Sequence, residues 1–223
     1  MSNKYIVKIL DAEYINHDVK RFILEKPPGY VFTPGQGTEV AINLPEWNDK
    51  FRPFTFTNLV SQNYLELMVK IYNDRSGVTK QLGKTNAGAE LIIGDAFGAI
   101  TYKGPGVFIA GGSGITPFIS IFRSLFRANL LKGNRLIYSN KTAEDVILYP
   151  ELQRMLNGDM LNFFSHENRI GFGLNHIDRN YLIDNIRDFS SYFYLCGPES
   201  FVSDLSKILL DLGAKLDSLV VEQ

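Results

Sequence analysis

The chain has 223 residues, 45% of them hydrophobic and 21% charged, and no apolar run approaches the ~18 residues that cross a bilayer, so neither a disordered chain nor a membrane span is expected. Lys plus Arg number 23 against 24 for Asp plus Glu, which leaves no global field to hold the protein on nucleic acid or anionic lipid. A single cysteine excludes an intrachain disulfide, a four-thiolate zinc site and a four-cysteine iron–sulfur cluster, and suits a reducing cytoplasm.

Met1 to Lys8 carry no long apolar stretch and no small-residue cleavage site, so no secretory signal is expected. The first hundred residues then show two-residue periodicity with turn punctuation. This predicts strands over 4–14, 19–24, 39–43, 52–57 and 64–71, broken at Pro27-Pro28-Gly29, Thr33-Pro34-Gly35 and Asn73 to Gly77. An antiparallel barrel or sandwich follows. A short helix over 78–84, with Val78 and Leu82 one turn apart, interrupts them.

After Gly104-Pro105-Gly106 apolar runs alternate with amphipathic segments in a βαβ rhythm. Strands are predicted at 107–110, 135–139, 161–165 and 192–195, and helices at 116–131, 150–156, 178–186 and 200–212. In the last helix Phe201, Val202, Leu205, Ile208, Leu209 and Leu212 form one face and Gly213 supplies the stop. A parallel sheet covered on both faces is expected, with ligands at the carboxyl ends of its strands. The predicted units are 1–103 and 104–223.

Four segments carry chemistry. In Val107 to Pro117 a buried strand runs through Gly111, Gly112, Ser113, Gly114, Ile115 and Thr116 into a helix with Pro117 in its first turn. Glycines let a backbone approach a pyrophosphate, and the free N–H groups of a helix start face the anion. Read alone, the same loop is also a tight turn with no ligand. In Arg52-Pro53-Phe54-Thr55-Phe56-Thr57 an arginine suited to phosphate leads aromatics that can stack on a planar ring and a hydroxyl that can donate to a ring nitrogen. That combination suits a flavin, although aromatics and threonine are also ordinary strand formers. Cys196, Gly197 and Pro198 end the last predicted parallel strand, where the thiol alone reads as a small buried hydrophobe. Gly77, Val78 and Thr79 open the short helix as a second anion cradle, next to Val69, Lys70, Ile71 and Tyr72.

Together and in this order these segments resemble the ferredoxin NADP reductase family, with its Arg-x-Tyr/Phe-Ser/Thr, Gly-x-x-Ser/Thr, Gly-Gly-x-Gly-Ile-Thr/Ala-Pro and Cys-Gly-Pro motifs, over nearly the whole chain. The resemblance implies a Greek-key FAD-binding barrel followed by a Rossmann-like NAD(P)-binding domain, with the flavin ring between them. It implies that Arg52 and Pro53 begin the flavin motif, Arg52 holding the flavin phosphates, that Phe54 lines the ring and that Thr55 bonds near the flavin N5. It further implies that residues 69–72 run along the cofactor, that Gly77, Val78 and Thr79 cap its pyrophosphate, which favours FAD over FMN, and that Gly111 to Thr116 cradle the nicotinamide nucleotide. Thr55 and Cys196 are the expected catalytic pair, Cys196 beside the reacting nicotinamide carbon. Phe54 replaces the commoner tyrosine, so a lost hydroxyl contact and weaker flavin binding are expected. Asp95-Ala96 stand where relatives have Gly-Pro, and Phe201 where many have methionine.

The donor is expected to be NADH or NADPH, with a lean to NADH. Ser165-His166-Glu167 aligns with a Ser-Arg-Glu pattern of NADPH users, so a fixed cation is replaced by a histidine largely neutral at pH 7. Lys141 and Arg169 are the compensating cations, while the stretch from Ser139 and Asn140 to Asp145 resembles that of NADH-using members. The expected enzyme is a monomeric cytoplasmic reductase passing electrons to a separate ferredoxin or flavodoxin, since the chain has no length or cysteines for a fused centre. A reductase of free flavins or quinones, or a non-catalytic electron-transfer or regulatory flavoprotein subunit, are the competing readings. The ending Val220-Val221-Glu222-Gln223 lacks the terminal aromatic that covers the flavin in many relatives. His17, His166 and His176 lack metal-ligand spacing, and no metal is expected.

Overall fold

A computed structural model describes residues 3–74, 76–166 and 177–221. Six strands, β1 (Tyr5–Tyr14), β2 (Val19–Glu25), β3 (Gly37–Ile42), β4 (Arg52–Thr55), β5 (Tyr64–Lys70) and β6 (Glu90–Ile93), form one antiparallel sheet in the order β4-β3-β6-β1-β2-β5. The two ends of this sheet approach each other just past β4, where Phe56 bridges to Leu67 and the Thr57 N–H donates to the Glu66 carbonyl at 3.0 Å. The sheet is therefore a nearly closed barrel.

Alternation drives the closure. Along β1, Val7 and Ile9 are buried while Ile6, Lys8 and Leu10 face out. The inward rows of all six strands pack as one core that includes Phe22, Leu24, Val40, Phe56 and Leu91. Burying side chains of this size contributes about 1.5–3 kcal/mol each. The helix α1 (Val78–Gly83) adds Val78 and Leu82 to the same core. β6 was not among the predicted strands: its four residues, Glu-Leu-Ile-Ile, are too few to display a period, and pairing with β1 and β3 is what makes them extended.

The second sheet has five parallel strands, β7 (Gly106–Gly111), β8 (Arg135–Asn140), β9 (Met160–Phe164), β10 (Tyr192–Cys196) and β11 (Leu219–Val221), in the order β11-β10-β7-β8-β9. Between them run α2 (Thr116–Arg127), α3 (Tyr149–Leu156), α4 (Arg179–Asn185) and α5 (Glu199–Asp211). Phe108 and Ala110 of β7 pack with Phe118, Phe122 and Leu152 from α2 and α3, whereas Val107 and Ile109 pack with Leu182, Leu205 and Leu209 from α4 and α5. Both faces are covered, as the near-continuous apolar runs predict. β11 is too short to be legible alone. α2 stops at Arg127 instead of 131 because Asn129 turns left-handed (φ 56°) and Leu130 N bonds back to the Leu125 carbonyl at 2.8 Å.

Residue 104 lies in the connection between β6 and β7. From β7 the chain runs outward to β8 and β9, then crosses to β10 on the other side. The gap between the carboxyl ends of β7 and β10 is thus the switch point at which such sheets bind ligands. No helix among the described residues is long and apolar enough to cross a membrane.

Candidate active site

The barrel and the parallel sheet meet at a cleft of about 740 Å³, within the ~300–1,000 Å³ common for small-molecule sites. On the barrel side it is lined by Pro53, Phe54 and Thr55 of β4, by Lys70 and Tyr72 at and beyond the end of β5, and by Thr79 in the first turn of α1. Opposite stand the carboxyl ends of the parallel strands. Gly111 ends β7 and Gly112, Ser113, Gly114 and Thr116 follow it, Cys196 ends β10 before Gly197 and Pro198, Asn140 ends β8 before Lys141, and Ser165 follows β9.

The loop after β7 is shaped by two glycines. Gly112 has φ +54°, where a side chain is strained. At Gly114 an added Cβ would lie 2.3 Å from the Cys196 carbonyl oxygen, so this glycine is what lets the β7 and β10 loops touch. Tyr138 donates its hydroxyl to the Gly112 carbonyl at 3.0 Å, and its burial raises its pKa, so it stays a donor. The Thr116 hydroxyl donates to the Ser113 carbonyl at 3.0 Å, tying the loop to the first turn of α2. The N-terminus of that twelve-residue helix opens on the cleft, where its dipole favours an anion.

On the cleft lining Asn140 is 5% exposed, and among the described residues neither its Oδ1 nor its Nδ2 has a partner in good hydrogen-bond geometry. A buried amide left unsatisfied costs about 1–3 kcal/mol, which a polar ligand in the cleft can relieve. Also on the lining, Lys70 Nζ lies 2.8 Å from Asp18 Oδ2 and 3.5 Å from Asp145 Oδ1. Burial lowers the Lys70 pKa, but the bond to Asp18 and both carboxylate charges outweigh it and hold the ammonium above its usual range. Burial raises Asp145, and the Thr142 hydroxyl and N–H, each 2.9 Å from Oδ2, together with Lys70 outweigh it and hold it below the usual carboxylate range.

His17, Asp18 and Asp145 present ligand atoms within 4.8 Å of one another, a grouping that sequence spacing did not show because the residues come from opposite units. The Lys70 ammonium already supplies the cation to both carboxylates.

The sequence from residue 108 to 207 matches the family described as "Oxidoreductase NAD-binding domain". NADH-cytochrome b5 reductase 1 of Eremothecium gossypii is 30% identical over 228 residues, covering 89% of this chain and 75% of that protein. The chain belongs to the ferredoxin NADP reductase family of FAD- and NAD-binding oxidoreductases. Its fold is shared with a ferredoxin NADP+ reductase from Neisseria gonorrhoeae with bound FAD and NADP (TM-score 0.86, 18% identity, 100% of this chain and 99% of that one). It is shared also with the cytochrome b5 reductase domain of Ulva prolifera nitrate reductase (TM-score 0.83, 19% identity, 98% and 97%).

Not every residue carried over from the ferredoxin NADP reductase motifs lies on the cleft. Arg52 is exposed and its Nη1 donates to the Phe51 carbonyl at 2.7 Å. Val69, Ile71 and Val78 turn their side chains into the barrel core, and Ile115 and Pro117 are buried under the nucleotide loop, so these five can offer only backbone. Gly77 caps α1 in extended backbone, away from the lining. Cleft residues outside the expected site are Gly37, Met68 and Phe97, together with Ser139, Asp145 and Phe201, which lie in or next to segments that the resemblance singles out without having been assigned a contact. Phe201 follows the Cys-Gly-Pro motif closely enough to have been a candidate. Gly37 and Phe97 are brought together by a backbone bridge sixty residues apart in the chain, which no local pattern signals. Glu167, Arg169, His176, Glu222 and Gln223 lie outside the described residues.

Proposed function

We propose that the protein is an NADH-dependent FAD reductase that hands electrons to a separate haem carrier of the cytochrome b5 type. The observation carrying this reading is that one cleft is walled from both units, with Thr55 on the barrel side and Cys196 facing it from the switch point of the parallel sheet. Residues Pro53, Phe54, Thr55, Tyr72 and Thr79 would hold FAD, and Gly111 to Thr116, Asn140, Ser165 and Cys196 to Pro198 would hold the nucleotide. The glycine loops and the poorly satisfied Asn140 amide fit such ligands.

Bound there, FAD would supply the redox chemistry, the conversion between two-electron exchange with a nicotinamide and one-electron exchange with a carrier. The protein's part is placement. Phe54 offers its ring for stacking and Thr55 a hydroxyl to a ring nitrogen. Cys196, 6% exposed, presents a compact thiol that leaves room for the nicotinamide. The N–H groups opening α2 meet the negative charge of a pyrophosphate.

The preference for NADH rests on two supports. The ammonium of Lys70 is matched by two carboxylates, so it offers no spare charge to a 2′-phosphate, and His166 takes the place of a fixed cation. The relative from Eremothecium gossypii is an NADH enzyme by its name, and that name moves the proposed carrier from ferredoxin or flavodoxin to cytochrome b5.

The test is an absorbance spectrum of the purified protein, titration with NADH and with NADPH, and then addition of oxidised cytochrome b5 or ferredoxin. Yellow protein that bleaches faster with NADH and reduces the haem supports the proposal. Bleaching without reduction of either carrier, but with turnover of added free flavin or quinone, replaces it with the corresponding reductase. A coloured protein inactive even with ferricyanide marks a non-catalytic subunit.

A further inference from the structure

The helix that opens on the nucleotide loop is also the helix fastened to the barrel. Thr116, Ser120, Arg123 and Arg127 share one stripe of α2 at helical spacing, and the last three each bond across the unit boundary. Ser120 Oγ accepts the Gly35 N–H at 2.9 Å, and Arg127 Nη1 donates to Ser61 Oγ at 3.1 Å. Arg123 does most. Its Nη1 donates to the Thr57 carbonyl at 2.8 Å and to Glu66 Oε1 at 2.6 Å, while Nε and Nη2 grip Glu151 at 2.7 and 2.9 Å. Glu66 Oε1 also accepts the Thr57 hydroxyl at 2.6 Å.

These contacts connect the two halves of the cleft by short, stiff paths. Thr57 is two residues beyond Thr55, and Arg123 is two turns beyond Thr116 on the same helix, so the arginine ties the barrel wall of the cleft to its nucleotide wall. The outward face of β5 repeats the theme: Glu66 meets Arg123, Met68 packs in the shared core and lines the cleft, and Lys70 meets Asp145. Glu66 and Lys70 carry opposite charges, as do their partners. A slip of one wall along the other breaks both pairs and moves one charge towards a like one, Glu66 towards Asp145 or Lys70 towards Arg123 according to its direction.

We propose that Arg123 is a positioning residue, one that sets the separation of the Thr55 and Thr116 walls and through it the rate of hydride transfer, while adding little to nucleotide affinity. The inference rests on the function proposed above. In the step concerned a hydride, two electrons with one proton, leaves the nicotinamide, which is oxidised, and reaches the flavin, which is reduced. Its rate requires reacting atoms about 3–3.5 Å apart, and a misplacement of about 1 Å can cost ~10²-fold. Lysine keeps the charge but loses the fork that grips Glu151 through two nitrogens. The Ser120 bond and the shared apolar core, in which Val19 and Met68 pack with helix α2, keep the units docked when the fork is lost.

Arg123→Lys and Glu66→Gln are compared with wild type and with Arg127→Ala as a peripheral control. Flavin content, melting temperature, the limiting rate of flavin bleaching by NADH, and titration with the unreactive analogue tetrahydro-NADH are measured. The analogue's dissociation constant reports affinity and its charge-transfer absorbance reports ring stacking without turnover. The expected result is flavin-replete protein with a limiting rate lowered roughly 10- to 100-fold, weakened charge-transfer absorbance and a near-normal dissociation constant, Arg127→Ala being unchanged. A folded variant with wild-type rate and absorbance overturns the inference, as does a loss of rate matched by an equal loss of affinity. If Arg123→Lys does not fold, Glu66→Gln carries the test, and failure of both to fold makes the clamp purely structural and overturns it. Wild-type protein that never bleaches overturns the parent function and this inference with it, whereas bleaching wild type with unaltered variants overturns this inference alone.

Discussion

Gly114 lies against the backbone of Cys196 so closely that a methyl group on it would sit 2.3 Å from the Cys196 carbonyl oxygen and 2.6 Å from the Gly197 nitrogen. No flexible side chain is there to give way. Gly114→Ala must therefore push the β7 and β10 loops apart, at a stability cost of about 1–3 kcal/mol. The expected outcome is a lowered melting temperature and loss of NADH-dependent bleaching with flavin content retained. A variant that melts and bleaches like wild type would show that the two loops need not touch.

Asn140 makes an unusual pair of expectations. Both amide atoms are buried and lack a well-aligned hydrogen-bond partner among the described residues, so Asn140→Leu, of similar volume, removes a poorly satisfied polar group and should leave the nucleotide-free protein as stable or up to about 1–3 kcal/mol more stable. The same change should weaken NADH binding, because the ligand loses its partner. Thermal melting and NADH titration together check the opposite signs.

Thr55→Ala should slow flavin reduction more than it weakens nucleotide binding. Loss of one neutral hydrogen bond is worth about 0.5–1.5 kcal/mol, or roughly 2- to 13-fold in rate. Rapid mixing with saturating NADH measures the rate, and its dependence on NADH concentration gives the affinity.

The Asp18–Lys70–Asp145 bridge across the units implies a defined pH response. The Asp145 pKa is depressed on folding, so its stabilisation is present above its ordinary value near 3.8 and is lost as pH falls through the lower folded value. The Lys70 pKa is raised on folding, so its stabilisation is full below about 10.5 and is lost as pH rises beyond that through the folded value. Asp145→Asn should thus lower the melting temperature at neutral pH, and the gap to wild type should close in strong acid. Melting curves from pH 2 to 7 check this; a gap that widens in acid contradicts it.

Motifs carried the fold and much of the cleft because a flavin strand and a glycine-rich nucleotide loop are each written in a handful of adjacent residues. Phe54-Thr55 and Gly111 to Thr116 are local, and the structure brings both to one cleft. What escaped was assembled by distance. Arg123 meets Glu151 28 residues away and Glu66 57 residues away, and no periodicity couples them. β6 and β11, four and three residues long, become strands only because neighbouring strands pair with them. Val69 and Ile71 sit in a motif segment but face the barrel core, since alternation along extended chain sends every second side chain away from the ligand, and Val78 does so from the buried face of α1.

The ring of Tyr194 lies flat on Phe108, centroids 4.1 Å apart, and Tyr102 is stacked on both. The Tyr194 hydroxyl accepts the N–H groups of Lys103 and Gly104 and donates to the Gly104 carbonyl. The connecting segment is accordingly stitched to the parallel sheet rather than left as slack between the halves. A nucleotide half expressed by itself from Gly104 onward would expose the edge of this aromatic pile, whereas one begun a few residues earlier would carry Tyr102 along and keep it covered.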